Sequence, residues 1–192
     1  MRMIVATAFS VAMLGATNAY SSQLDQTAYC KAFSDYSEKL RPHFAFQEKA
    51  DKTVKEEDAV NDPRSNWHRT ITKIQQNFAA RMESFDSQRV KGFVGTISKI
   101  QIHDYGGSKP AQIEPLEIAV CQAAEPFLED SAGAPRIRSL GDTIHIRTAD
   151  FLEGASPIGR QLLEQNFKSG DTVVVAGRIS GSELELTSIK KK

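Results

Sequence analysis

The chain has 192 residues, 40% of them hydrophobic and 25% charged, which suits one medium-sized domain or two small modules around a buried core. It carries 24 lysines and arginines against 24 aspartates and glutamates, so its formal net charge is zero. This size argues against a large enzyme, and the charge balance gives no overall field that draws the protein to nucleic acid or to acidic lipid.

The first nineteen residues have the layout of a secretory signal peptide. Arg2 supplies a basic start, residues 3–15 are an apolar run without charge, and residues 17–19 place small side chains where a signal peptidase cleaves. The apolar run is too short to cross a hydrocarbon core, which requires about 20 residues. An uncleaved N-terminal anchor or a core helix is the alternative. We expect cleavage after Ala19, no membrane span in the mature chain, and a periplasmic or secreted location.

Export affects the interpretation of the two cysteines, Cys30 and Cys121. In an oxidising compartment they are a natural disulfide pair. Neither belongs to a Cys-x-x-Cys motif, and no histidine lies at zinc-ligand spacing from either. We therefore predict a Cys30–Cys121 disulfide, with no metal site, no redox centre and no cofactor.

Residues 20–87 predict a helical segment that includes a charged linker. A second helix within it is expected to start with Asp62 as its cap and Pro63 in its first turn. Between the two helices, residues 48–62 are rich in Lys, Glu and Asp and form either a solvated helix or a linker. The first helix is predicted to end at Pro42, and its apolar stripe repeats every four residues: Leu24, Ala28, Ala32, Tyr36 and Leu40.

The second helix has the strongest helical periodicity in the chain. Its apolar residues recur at steps of three and four: Trp67, Ile71, Ile74, Phe78, Met82 and Phe85. We favour packing of this stripe against the neighbouring barrel or the first helix. A groove for a partner is the alternative.

From residue 88 the periodicity changes from that of helices to that of strands. Gly92 and Gly95 lie where a strongly bent strand needs glycine, and Ser156 is placed to cap a short helix with Pro157 in its first turn. Predicted strands cover residues 90–102, 116–121, 143–148, 172–179 and 183–189. The element order β-β-β-α-β-β predicts an α+β chain, in which the helical segment precedes a five-stranded OB-fold barrel over residues 88–189 and a frayed basic tail at 190–192.

Two stretches carry a resemblance to the OB-fold superfamily. Residues 170–179 resemble its fourth strand, in which a Gly-Asp turn leads into valines and a glycine kinks the strand. Residues 93–97, with the sequence Phe-Val-Gly-Thr-Ile, resemble its first strand. Over residues 88–189 the chain resembles exported bacterial OB-fold modules of the tRNA-anti-like kind. This resemblance implies the fold and no shared catalytic residues, because OB-folds serve nucleic acids, sugars, peptides and proteins alike.

Motifs that would indicate an enzyme fail in their details. Residues 154–158 begin like a nucleophile elbow, but Pro157 lacks the N–H that an oxyanion needs and Ile158 replaces the second glycine. Residues 106–109 hold phosphate-loop residue types in the wrong order. His103 beside Asp104 suits acid–base chemistry, although an exposed loop is the favoured interpretation. We predict no catalytic residue.

The outer face of the second and third barrel strands is the customary ligand surface of OB-folds. Here it presents Glu117, His145 and Arg147, with Tyr105 and Lys109 in the loop at its edge. These five residues are the predicted ligand-binding site, and a merely solvated strand face is the alternative. Tyr105 is the only aromatic residue well placed to stack on a base, so nucleic acid is the less favoured ligand.

We therefore expect an exported, non-enzymatic OB-fold binding module whose partner is a peptide, a saccharide or a cell-envelope protein. One alternative is a structural or inhibitory protein that acts through the stripe from Trp67 to Phe85. The other is a secreted nuclease, for which Asp104, Glu117, Arg147 and Arg178 supply the residue types without a spacing that shows convergence.

Overall fold

The computed structural model describes residues 23–106, 110–122, 127–129, 136–138, 143–148, 152–181 and 183–192. The predicted signal peptide and Lys109 lie outside the described residues. The helices are α1 (Gln26–Ala50), α2 (Val54–Asn61), α3 (Asn66–Glu83) and α4 (Pro157–Glu164). Within the described part of the chain, none of the helices combines the length and the apolar character that crossing a membrane requires.

Eleven strands in the described residues form a barrel and two small sheets. They are β1 (Gln23–Leu24), β2 (Arg89–Lys99), β3 (Ile102–His103), β4 (Gln112–Ile113), β5 (Glu117–Gln122), β6 (Phe127–Glu129), β7 (Arg136–Arg138), β8 (Thr143–Thr148), β9 (Leu152–Glu153), β10 (Thr172–Ser180) and β11 (Glu183–Lys191). The main sheet has the order β1-β2-β10-β11-β8-β5, and β2 also pairs with β5, so five long strands close into a barrel. Since α4 lies between β8 and β10 in the chain, the predicted α+β fold and its β-β-β-α-β-β order are confirmed.

Alternating apolar side chains fill the inside of the barrel. Ile118 on β5 lies opposite Ile146 on β8, and both are buried. Val173 on β10 and Ile189 on β11 are equally buried, and α4 adds Leu162 to the same core. A small closed barrel whose interior is packed with side chains leaves its outer surface for ligands.

Two glycines let β2 bend around the barrel. Gly92 has a φ of +79°, and the pairing of β10 with β2 shifts register beside it, between Val175 and Ala176. At Gly95 a Cβ atom would lie 2.5 Å from Ile118 Cγ2, so no larger residue fits there without a shift of β5. The predicted role of these glycines in a strongly bent strand is confirmed.

The side chain of Gln26 joins the barrel where β2 and β5 separate. Its Nε2 donates to the carbonyl oxygens of Val94 and Val120, both at 2.7 Å, and its Oε1 accepts the N–H of Val94 at 2.8 Å. Direct pairing of β2 with β5 begins at Thr96 and Ala119. The Gln26 amide therefore supplies hydrogen bonds that a further rung of the ladder would have made.

Helix α1 continues through Pro42 to Ala50, so the prediction that it ends at Pro42 is wrong. Proline removes one helical N–H and its ring crowds the carbonyl four residues earlier. Here Leu40 precedes Pro42 and Gln47 and Ala50 follow it, and all three are buried, whereas Pro42 is exposed. Burial on both sides of the proline holds the two halves in one helix.

The charged stretch 48–62 is helical on either side of a short break. Its first residues complete α1, residues 51–53 form the break, and α2 occupies most of the rest. Val60 on α2 is buried, and Lys49 Nζ bonds to Glu56 Oε1 at 2.9 Å across the break. The stretch is therefore not a free linker, because α2 packs into the helical segment.

The predicted start of the next helix is also corrected. Its N-cap is Ser65, whose Oγ accepts the N–H of His68 at 3.1 Å. Asp62 ends α2 instead, and its Oδ1 accepts the N–H of Arg64 at 2.9 Å in the turn between the helices. Asp and Ser are both favourable caps, so the sequence does not decide between them.

The helices form a second core beside the barrel, and α1 contributes side chains to both cores. Tyr29 and Ala32 of α1 belong to the barrel core, whereas Tyr36 and Leu40 pack with α2 and α3. The remaining members of the second core are Ala50, Val60, Trp67 and Ile71. Packing of the α3 stripe is therefore confirmed at both ends, since Phe85 is buried in the barrel core, and its middle is half-buried.

Cys30 on α1 and Cys121 on β5 form the predicted disulfide, with an S–S distance of 2.05 Å and a Cα–Cα distance of 5.6 Å. Ile118 and Val120 on the same strand are buried in the barrel core. Cys121 lies on the other side of β5, which brings its sulfur to α1. The bond ties the helical segment to the barrel.

Three details of the barrel differ from the sequence prediction. The predicted strand 90–102 is interrupted, because β2 ends at Lys99 and a separate short strand β3 follows. Between the predicted strands 116–121 and 143–148, the described residues also contain the paired short strands β6 and β7. The predicted frayed tail is wrong at Lys191, which pairs with Val173 in the barrel and places its Nζ 2.8 Å from Asp171 Oδ2.

Candidate functional site

Strand pairing gathers three of the predicted ligand-binding residues on the outer face of the barrel. Glu117 on β5 lies opposite Arg147 on β8, and His145 lies opposite Ala119 in the same ladder. The pair Ile118 and Ile146 between them is buried, which directs the flanking side chains outward. His145 and Arg147 are exposed and Glu117 is half-buried. The structure thus brings these three polar side chains onto one surface.

The other two predicted site residues belong to the loop after β3. Tyr105 is 60% exposed, and its ring stacks on that of His103 with 6.3 Å between the ring centroids. Lys109 lies outside the described residues. Tyr105 therefore offers an open aromatic surface beside a histidine.

A polar cluster connects this loop to the barrel. His103 Nε2 lies 3.0 Å from Glu114 Oε1, and Lys99 Nζ lies 3.6 Å from Glu114 Oε2. The hydrogen bond from His103 and the charge of Lys99 lower the pKa of Glu114. Lys99 is also the register partner of Glu117, so the cluster adjoins the outer face. Asp104, considered as the acid–base partner of His103, accepts a backbone N–H of its own loop at 3.0 Å.

His145 is held by Ser98, which belongs to no motif in the sequence. Ser98 Oγ lies 2.7 Å from His145 Nδ1 and 3.0 Å from the carbonyl oxygen of Glu117. A hydroxyl has one proton, so if it is donated to the carbonyl, Nδ1 must carry its own hydrogen and donate to Ser98. In that tautomer Nε2 is an acceptor on the outer surface. Ser98 thereby orients the imidazole.

A groove of about 700 Å³ lies where α1, α3 and the β10–β11 hairpin meet. Its floor is apolar and comes from Tyr29, Phe33, Phe78 and Met82 on the two helices. His145 of the barrel also lines it. The barrel face and the α3 stripe, which the sequence presents as separate candidates, therefore contribute to one concave surface.

The rim of this groove is polar at the hairpin. Asp86 Oδ1 accepts the N–H of Gly181 at 2.8 Å, which joins the turn after α3 to the turn between β10 and β11. This hydrogen bond lowers the pKa of Asp86, so the carboxylate is ionised at neutral pH. Glu83, on the last turn of α3, is exposed beside it. The contact between Asp86 and Gly181 spans 95 positions, so no local pattern could have predicted it.

A second groove, of about 370 Å³, lies on the other side of Phe78 between α1 and α3. Tyr36 and Phe78 stack there with ring centroids 4.2 Å apart. Three of its charged lining residues are basic, and Asp35 is acidic; the basic ones are Lys31, Lys39 and Arg81. The two grooves thus share an aromatic residue and differ in charge.

The residues considered for enzymatic chemistry have other contacts. Arg178 bonds to Glu185 at 2.7 Å across β10 and β11, away from the pairing of β5 with β8. Ser156 caps α4, as predicted, with its Oγ accepting the N–H of Gly159 at 3.0 Å. In the part of the chain that the structure covers, no group of three or more His, Cys, Asp or Glu side chains could hold a metal ion.

Similarity to known proteins gives no family for this chain. No family model, curated protein or solved structure matches it. Its function has to be inferred from the chemistry of its own surfaces.

Proposed function

We propose that this protein is an exported, non-enzymatic binding module on an OB-type barrel, and that its ligand lies across the outer face of β5 and β8. The pairing that places Glu117, His145 and Arg147 on that face carries the proposal. The element order of the barrel supports an OB-type assignment, in which this face is the customary ligand surface.

The outer face suits a ligand with both polar and ring-shaped parts. Arg147 offers a planar, forked donor for a carboxylate or phosphate group. His145 is oriented by Ser98, which reduces the entropy that a ligand contact would cost. Tyr105 adds a flat apolar ring for a sugar or an aromatic side chain. These groups fit a peptide, a saccharide or a protein of the cell envelope.

The Cys30–Cys121 disulfide supports export. Disulfides persist in oxidising compartments such as the bacterial periplasm and the extracellular space, and are rare in the cytosol. Together with the predicted signal peptide, this bond favours a periplasmic or secreted location.

The double substitution His145→Ala with Arg147→Ala tests the proposed face. Glycan and peptide arrays probed with the wild-type protein identify the ligand class, and calorimetric titration then compares the two proteins. We expect the double variant to bind about 2–3 kcal/mol more weakly if both groups bond to charge.

Arg160→Ala is the control, because Arg160 is exposed on α4 and lies on another element. It should bind like the wild type, and circular dichroism should show that all three proteins are folded. An unchanged affinity in the folded double variant would place the site elsewhere.

A further inference from the structure

The apolar stripe from Trp67 to Phe85 is buried at both ends and half-buried between them. Trp67 is 7% exposed and Ile71 is fully buried in the helical core. Further along the same stripe, Phe78 and Met82 are only half-buried and form the floor of the larger groove. Phe33 of α1 is also half-buried there. Packing in the two cores accounts for the ends of the stripe and leaves its middle facing a concavity.

The floor of the groove has apolar surface that is still exposed to solvent. Burying apolar surface stabilises a complex, and each half-buried Phe or Met side chain still has apolar surface that a partner can cover. The groove volume of about 700 Å³ lies within the range that ligand sites use, about 300–1,000 Å³. The concavity can therefore take more than one apolar side chain.

The acidic residues in the lining of the groove favour a partner with positive charge. The lining includes Glu83 and Asp86 and, among the described residues, no Lys or Arg, although the charge of Arg178 outside the lining acts on Asp86. The smaller groove beyond Phe78 has the opposite character, with Lys31 and Arg81 in its lining. Acidic groups at an apolar groove attract a cationic ligand and repel phosphates, which disfavours nucleic acid and anionic lipid.

We propose that the groove formed by α1, α3 and the β10–β11 hairpin docks a peptide segment of a protein partner, in which apolar side chains alternate with arginine or lysine. The apolar side chains pack on Phe33, Phe78 and Met82, and the cationic ones meet Glu83 and Asp86. This docking surface adjoins the outer face of β5 and β8 and shares His145 with it, whereas Glu117 and Arg147 do not line the groove.

Synthetic peptides that alternate phenylalanine or leucine with arginine are the probe, and the same peptides with glutamate in place of arginine are the comparison. The full chain labelled at its methionine methyl groups reports binding directly. It has four methionines, and Met82 is the one outside the predicted signal peptide. Loss of one signal in Met82→Leu assigns it. We expect saturable binding of the arginine peptides that shifts the Met82 methyl signal and weakens with salt.

Ala79→Arg and Ala80→Arg are the decisive variants. Both alanines are exposed on α3, but Ala79 lines the groove and Ala80 does not. Arginine is a good helix former, so both variants should fold. Ala79→Arg adds bulk and positive charge inside the groove and should abolish binding, whereas Ala80→Arg should leave it unchanged.

Glu83→Lys, with Glu164→Lys as its control, tests the charge alone. Both glutamates are exposed at the end of a helix, where lysine is favourable. We expect Glu83→Lys to bind the arginine peptides about five- to tenfold more weakly than the wild type at low ionic strength. The control Glu164→Lys should bind them like the wild type. Equal binding of the glutamate peptides, wild-type binding by Ala79→Arg, or no shift of Met82 with any peptide would overturn the proposal. So would concentration-dependent dimerisation that shifts Met82 in the unliganded chain, since the occupant would then be a second copy.

Discussion

Tyr29 is the residue through which α1 enters the barrel core. Its ring centroid lies 5.9 Å from that of Phe85 and 5.8 Å from that of Phe93, and the residue is 3% exposed. Aromatic pairs at such distances add stability beyond the area that they bury. Burial also raises the pKa of Tyr29 to about 12, because the charged phenolate is poorly solvated there.

The raised pKa predicts an alkaline loss of stability that Tyr29→Phe removes. Above pH ~10 the unfolded chain loses the phenolic proton and the folded chain keeps it until pH ~12, so the free energy of unfolding falls across this window. The loss due to Tyr29 should reach about 2–3 kcal/mol. Urea unfolding of both proteins from pH 8 to about 12 measures it. Parallel pH curves for wild type and variant would contradict this account.

At the scale of elements, the seam between β2 and β5 depends on a side chain from another element. The Gln26 amide bonds to Val94 and Val120 at the point where the two strands stop pairing. Next to it, β1 adds parallel to β2 with Leu24 opposite Val90. The start of the helical segment is thus part of the barrel wall, although the sequence pattern assigns it to a separate unit.

Gln26→Leu should destabilise the protein by about 2–4 kcal/mol, because it leaves backbone groups of β2 and β5 without hydrogen-bond partners. Gln23→Leu is the control, since Gln23 lies on β1 and is exposed. Urea unfolding gives the two changes in free energy, and amide exchange should show faster opening of β2 and β5 in Gln26→Leu alone. Equal stability of the two variants would mean that the seam does not need the amide.

At the scale of the whole molecule, two cores share one helix and one covalent bond. Tyr29 of α1 packs in the barrel core and Leu40 of α1 packs in the helical core. The disulfide from Cys30 to Cys121 spans 91 positions of the chain and fixes α1 to β5. The two cores should therefore unfold together while the bond is intact.

Replacing both cysteines by alanine should lower the free energy of unfolding by about 4–5 kcal/mol on the chain-entropy model. The physical reason is that the bond restricts the unfolded chain by closing a long loop. Denaturant unfolding measures the difference. Alkylation of the native protein without reductant should label neither cysteine, and two labels per molecule would rule out the bond in solution.

Export is the remaining prediction at this scale. If the first nineteen residues are a signal peptide, the protein recovered from an extracytoplasmic fraction begins after Ala19. Mass spectrometry of the intact protein decides this. A mass that includes Met1 would refute cleavage.

Local sequence patterns were sufficient to predict those features whose physical cause lies within a short stretch of the chain. The alternation around Ile118 and Ile146 predicted strands with a buried side, and Ser156 before Pro157 predicted a helix cap. The expectation of export, in a chain with two cysteines, predicted that they pair. In each case side-chain direction, backbone chemistry or covalent chemistry acts over a few residues or between a single pair, so the sequence determined the result by itself.

The tertiary structure decided everything that depends on which surfaces meet. Pro42 did not end α1, because burial on both sides outweighs the missing hydrogen bond. Ser98 holds His145 across 47 positions, and Asp86 holds Gly181 across 95. Periodicity tells which side of an element is buried and not what it is buried against. The groove that joins the barrel to the α3 stripe therefore exists only in the folded chain.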